Sequence, residues 1–244
     1  MHIQVGVAKV PKYATSESGD TLEMVERPHG GLSLVLADGQ RSGRSAKSIS
    51  TMVAHKAVAL LADGVRDGAA ARAAHDYLYT QRGGKVSATL NIISIDMVTK
   101  TLVISRNSHC PVVVHHADGS QILLDTGTDP VGVHRMTKPD ITELPLRAGT
   151  LVVVFTDGLI SAGRRTLESL DVAALVTQLY AAHQGEPGFA QAVAEGLLEA
   201  ALKLDDGRPV DDTSVVAVAV AAAELDLVRR MQVQLPIPPL DRPG

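Results

Sequence analysis

Apolar positions along this chain fall into short runs dense in Val, Ile and Leu, separated by polar segments carrying Gly, Asp and Ser. Runs of this kind predict strands over residues 3–10, 32–36, 88–95, 102–105, 112–116, 122–124, 151–155 and 215–220. Over residues 45–62, 68–79, 167–183 and 189–204 the period lengthens to that of a helix. In the first of these, Ile49, Met52, Val53, Lys56, Ala57 and Leu60 mix i+3 and i+4 spacings, giving one stripe to lay on a sheet. The turn Ala117-Asp118-Gly119-Ser120 is short enough to close an antiparallel hairpin. Helices come in pairs and strands cluster between them, without β-α-β alternation, so the expected fold class is an α+β layered sandwich. No repeat or low-complexity linker divides the chain. One domain is expected over residues 1–223, with an extension over 224–244 whose end, from Leu235 to Gly244, is proline-rich and expected to be extended or frayed.

Composition narrows the function more than the fold. The 244 residues are 45% apolar and 20% charged, enough to build a core without disulfides or structural metals. Trp is absent and aromatics are only 2%, which leaves little surface for stacking bases or sugars. A net charge of −4 and a pI near 6.1 also argue against a nucleic-acid partner, and no membrane partner is implied. A single cysteine, Cys110, excludes an intrachain disulfide and a cysteine-cluster zinc site, and fits a reducing cytoplasm. The start, Met1 to Val7, alternates like a strand and does not read as a signal peptide. The longest apolar run, residues 215–223, is far short of the roughly 20 residues of a membrane span.

Candidate chemistry lies at the strand ends. Leu36-Ala37-Asp38-Gly39 and Phe155-Thr156-Asp157-Gly158 each finish an apolar run, and Asp211-Asp212 opens another. Hard divalent cations take oxygen ligands and keep several waters, so a few convergent carboxylates suffice to hold them. A pair of such ions can grip a phosphoryl group and activate water. Asp-Gly is also the commonest turn dipeptide, and Asp63-Gly64, Asp67-Gly68, Asp118-Gly119 and Asp206-Gly207 read as plain turns. Asp38 and Asp157 differ because they follow buried-type strands and precede Gly- or Ser-rich connections into helices.

Five ordered pieces resemble the metal-dependent Ser/Thr protein phosphatases of type 2C, in their short bacterial SpoIIE-type form. They are Glu17-Ser18-Gly19-Asp20, Ala37 to Gly43, Asn107-Ser108-His109-Cys110-Pro111, Arg147 to Leu159, and Asp211-Asp212-Thr213-Ser214. The chain is most similar to the small phosphatases that reset the stressosome. The resemblance implies two packed antiparallel sheets flanked by helix pairs, with residues 1–223 as the phosphatase domain. It implies two divalent ions, Mn²⁺ or Mg²⁺, bridged by Asp38, with the Gly39 carbonyl on the second and Asp157 and Asp211 on the first. Asp20 would act near the second ion, directly or through water, and Asp212 and Thr89 would lie close by. The implied reaction is direct attack of a metal-bridging hydroxide on phosphoserine or phosphothreonine. The implied partner is a phosphorylated bacterial signalling protein, of the stressosome or anti-sigma-antagonist kind, in the cytoplasm.

Two positions depart from the family. Where eukaryotic relatives carry a histidine as a proposed general acid, this chain has Gln40, and an amide cannot supply that proton. Slow turnover is the expectation. The usual acidic residue after Asp-Gly-Leu is Ser161. Lys12 and Arg41 lie near the site in sequence but read as solvated surface charge. His109-Cys110 suggests thiol catalysis, yet neighbours on a strand face opposite ways, so a packing or turn role is expected for them. By the same rule His115 and His116 share no face, and one is expected in solvent. Arg82-Gly83-Gly84-Lys85 lacks phosphate-loop spacing and reads as a connection. Against the phosphatase stand a catalytically silent binding module of the same fold and a hydrolase of small phosphoesters.

Overall fold

The computed structural model describes residues 1–224 and 226–237; residues 238–244 of the proline-rich end lie outside the described residues. Among the described residues ten strands form two five-stranded sheets in which every pairing is antiparallel. One sheet runs β1 (His2–Val10), β10 (Thr213–Ala221), β9 (Leu151–Phe155), β6 (Val112–His115) and β7 (Gln121–Leu124). The other runs β2 (Asp20–Glu26), β3 (Leu32–Gly39), β4 (Ala88–Asp96), β5 (Thr101–Asn107) and β8 (Asp140–Pro145). Helices α1 (Gly43–Ala62) and α2 (Asp67–Arg82) cover the second sheet. Helices α4 (Val172–His183) and α5 (Phe189–Leu204) cover the first, and a short α3 (Asp157–Ser161) follows β9.

Strand periodicity explains the layers. In β3, Leu34 and Leu36 point toward the opposite sheet while Val35 and Ala37 point toward α1 and α2. The same split separates Ile93 and Ile95 from Leu90 and Ile92 in β4, and Val152 and Val154 from Val153 and Phe155 in β9. Central strands are therefore apolar on both faces, which is why they read as unbroken runs. The α+β sandwich expected from the sequence is the architecture found.

Three expectations are corrected. Strands β2 and β8 were not signalled, because both are sheet edges with half-exposed, charge-bearing patterns. The helix expected over 167–183 begins only at Val172, since Leu167 takes a left-handed backbone with φ 60° and Asp171 caps the helix by accepting from the Ala174 amide at 3.0 Å. In α1 the buried face is Ala46, Ile49, Ser50, Val53, Ala54, Ala57 and Leu61, rotated away from Met52, Lys56 and Leu60. The rotation brings Ser50 inward, where its hydroxyl donates to the Gly19 carbonyl at 2.5 Å. Beyond β10 the described residues form neither helix nor strand, and Arg229 pairs with Glu26 at 3.0 Å. No described helix is long and apolar enough to cross a membrane.

Candidate metal centre

Sheet register assembles the first half of the site. Asp20 of β2 lies opposite Asp38 of β3, and Asp38 lies opposite Thr89 of β4, so three adjacent strands carry these residues in one row. Like charges paired across strands are destabilising, so this row is not explained by folding alone. Asp38 continues the face of Leu34 and Leu36 and emerges where the space between the sheets opens. From the facing sheet, Asp157 starts α3 two residues after β9, and Asp211 and Asp212 immediately precede β10. The result is a cleft of about 250 Å³ lined by Asp38, Gly39, Gln40, Arg41, Ser87, Ala88, Thr89, His109, Pro130, Asp157, Asp211 and Asp212. A larger depression of about 510 Å³ over Glu17, Arg44, Lys47, Ser48, Thr51 and Met52 is wide open and carries a single carboxylate beside two cations.

The acids have different surroundings. Asp20 is wholly buried behind the cleft, where its Oδ2 accepts from Thr156 Oγ1 at 3.0 Å and Ser214 Oγ at 2.6 Å, both from the other sheet. Its Oδ1 is buried without a partner among the described residues. Lys9 Nζ and Lys47 Nζ donate to its backbone carbonyl at 2.6 and 2.8 Å. Asp212 uses both oxygens as a loop clamp, accepting from the Lys12 and Gly19 amides at 2.9 Å each. Asp211, half-buried, accepts from the Asp212 amide and lines the cleft.

Burial pushes the Asp38 carboxyl up to about 9, reinforced by the carboxylates of Asp20, Asp157 and Asp211. Burial also raises Asp20 to about 6, against the Ser214 hydrogen bond, and raises Asp211. The folded, metal-free protein therefore holds protons that the unfolded chain releases near pH 3.9. The contribution of these carboxyls to stability falls as pH rises from about 4 to 9. We expect the metal-free protein to melt at a higher temperature at pH 5 than at pH 8, with Asp38→Asn reducing that difference. Calorimetric scans of both proteins after chelation check this, and an equal pH dependence in the two would contradict the assignment.

Among the described residues no three acidic, imidazole or thiol side chains are drawn together tightly enough to enclose an ion by themselves. What the cleft offers is a set of separated carboxylates with Gly39 beside them, and room for water. That set suits Mg²⁺ or Mn²⁺ and not a soft metal.

The structure brings Asp38, Gly39, Gln40, Thr89, Asp157, Asp211 and Asp212 to one cleft and sets Asp20 directly behind it. Arg41, read from sequence as surface charge, is exposed yet lines the cleft in a left-handed backbone with φ 75°. His109, expected to pack or turn, stands at the cleft with its side chain 59% exposed. Its neighbour Cys110 is buried, which pushes the thiol up to about 12 and rules out a nucleophile there. His115 is buried against the Tyr180 ring at 4.0 Å, and His116 is the half-exposed one. Thr156 and Ser214, which orient Asp20, lie within the motif pieces but were given no role from the sequence.

Structural comparison agrees with the fold. The PP2C phosphatase domain with a fragment of the regulatory domain of the cell fate determinant SpoIIE from Bacillus subtilis superposes with a TM-score of 0.74 at 20% identity, over 92% of this chain and 64% of that one. The RsbU and RsbW domains of Rv1364c from Mycobacterium tuberculosis give 0.76 at 22% identity, over 91% and 61%. The catalytic domain of the phosphatase PstP, crystallised with two manganese ions, gives 0.66 at 19% identity, over 90% and 99%. The chain thus spans less than two thirds of the first two proteins. No curated protein matches the sequence. Residues 28–221 match the family model of stage II sporulation protein E (SpoIIE), and the chain belongs to that family.

Proposed function

We propose that this chain is a divalent-metal-dependent phosphatase acting on phosphoserine or phosphothreonine of a bacterial signalling protein. The observation that carries the reading is the gathering of Asp38, Asp157 and Asp211 from distant segments into one oxygen-lined cleft between the sheets. Asp38, the carboxylate on which Asp20, Asp157 and Asp211 all act, would be shared by the two ions. Gly39 would offer its carbonyl to one ion, and Asp157 and Asp211 would hold the other. Asp211 and not Asp212 is the ligand, since both Asp212 oxygens are occupied by backbone amides. Asp20 orients the bridging side from behind. When bound, Mn²⁺ or Mg²⁺ would neutralise phosphate charge and activate water for direct attack on phosphorus, without a phosphoenzyme. Family membership and the two manganese ions in PstP support this choice of cofactor. A partner from stress-response or sigma-factor regulation, and a cytoplasmic setting, follow from the same kinship.

The intact acidic set favours an enzyme over a silent binding module, which would tolerate losing a ligand. Mn²⁺-dependent phosphate release is expected from both p-nitrophenyl phosphate and a phosphoserine protein, and Asp157→Ala is expected to remove both. Hydrolysis that survives chelation or Asp157→Ala overturns the metal mechanism. Turnover of the aryl ester alone indicates a small phosphoesterase, and silence toward both despite bound metal indicates the binding module.

A further inference from the structure

The loops on the Asp211 side of the cleft carry cations that the reading above leaves without a task. Arg165 lies on the turn after α3, Arg208 lies three residues before Asp211, and Lys12 and Tyr13 follow β1. Both arginines are exposed. Arg165 Nη1 donates to the Arg208 carbonyl at 3.1 Å, and the Arg208 guanidinium sits over the Tyr13 ring at 5.5 Å from its centre. The Tyr13 amide donates to the Pro209 carbonyl at 2.9 Å, and the Lys12 amide donates to Asp212. One continuous surface thus runs from Arg165 through Arg208 and Tyr13 to the acidic pair at the cleft.

In a chain of net charge −4, these cations are left over. Among the described residues none of Lys12, Arg165 and Arg208 forms an ion pair. The nearby acids do not serve them. Asp205 is buried and accepts from the Gly163 and Val210 amides at 3.0 Å each, while Glu168 and Asp206 are exposed and pair with neither arginine. Like charges gathered on one surface repel, so folding gains nothing from leaving both guanidiniums unpaired.

The surface is also held still. Asp205 ties the turn of Arg165 to the loop of Arg208, and the Thr166 and Glu168 amides close that turn on the Gly163 carbonyl at 3.0 and 3.1 Å. A fixed backbone lowers the ordering cost of binding. Stacking on Tyr13 occupies the face of the Arg208 fork and leaves its edge donors for a carboxylate. At the tip of the same turn Leu167 is 95% exposed in a left-handed backbone, adding an apolar contact beside the cations.

We propose that this surface docks an acidic segment of the phosphoprotein substrate, with Arg165 and Arg208 taking carboxylates beside the phosphoserine; this rests on the phosphatase reading. Three residues of chain separate Arg208 from Asp211, which bounds their distance at about 10 Å. An extended substrate segment covers that span in about three residues. The side chain recognised is therefore an Asp or Glu about that far from the phosphoserine.

Three phosphoserine peptides carrying Asp, Asn or Lys at those flanking positions test this with Mn²⁺ saturating. For the wild type, kcat/KM is expected to be about tenfold higher on the Asp peptide than on the Asn peptide, chiefly through KM, with the Lys peptide poorest. The advantage is expected to shrink as salt is raised. Arg165→Glu combined with Arg208→Glu is expected to reverse the order and make the Lys peptide the best, a gain that misfolding cannot imitate. An order that survives the reversal, or no preference for the Asp peptide in the wild type, overturns the docking surface, and turnover of p-nitrophenyl phosphate then leaves the phosphatase reading standing. Wild-type protein that hydrolyses neither the peptides nor p-nitrophenyl phosphate removes both.

Discussion

Asp38→Asn is expected to cost at least about 10³-fold in divalent-dependent kcat while leaving a folded protein. The substitution keeps the shape of the side chain and deletes only its charge. The affected position is the one where carboxylates from four chain segments act on each other, with Asp20 across the strand pair and Asp157 and Asp211 across the cleft. In the proposed arrangement Asp38 would be the carboxylate shared by the two cations, and an amide brings no charge to that place. The fold does not depend on that charge, because burial and neighbouring carboxylates both oppose its ionisation. Activity and stability should therefore move in opposite directions. Calorimetric titration of the variant with Mn²⁺ should lose the two-ion stoichiometry. Activity retained within tenfold would mean that Asp38 does not bridge.

How much of this was visible in the residues depended on where each one lies. Strands β3, β4, β9 and β10 are buried on both faces, so their apolar runs announced them. Edge strands carry polar residues by necessity, and β2, with Asp20, Glu23 and Glu26 in seven residues, resembles a loop when read alone. Asp20 was accordingly found only through family resemblance. Asp38, Asp157 and Asp211 were legible because strand ends hold a carboxylate still. His109 and Cys110 take the turn and packing roles expected of them, but strand alternation is silent on which wall of a cleft an exposed turn residue meets. The hydroxyls of Thr156 and Ser214 gain their meaning from Asp20, 136 and 194 residues away, a distance no local pattern spans.

The Asp-Gly dipeptides supply the second large effect, since the chain uses the same pair for two physical purposes. At Gly119 and Gly207 the backbone is left-handed, with φ 82° and 70°, and a Cβ would meet open space. These glycines serve turns. Gly39 and Gly158 do not have positive φ, and at each the space for a Cβ is already filled by backbone. A Cβ on Gly39 would overlap the Ala46 carbonyl at the start of α1. One on Gly158 would overlap the Asp212 carbonyl and the Thr213 hydroxyl, at the junction of Asp157 with Asp211. Backbone cannot retreat as a flexible side chain can, so Gly158→Ala must prise α3 away from the start of β10. The expected cost is about 3 kcal/mol, or about 6–12 °C in Tm. Activity should be lost with it, because the two segments that separate carry Asp157 and Asp211, the two ligands proposed for one ion. Gly119→Ala should cost about 1 kcal/mol through its left-handed backbone and leave phosphate release unchanged. Thermal melts and Mn²⁺-dependent kcat of the two variants side by side decide the matter. Comparable behaviour would mean that Gly158 is one more turn glycine and that its close contact does not hold the site together.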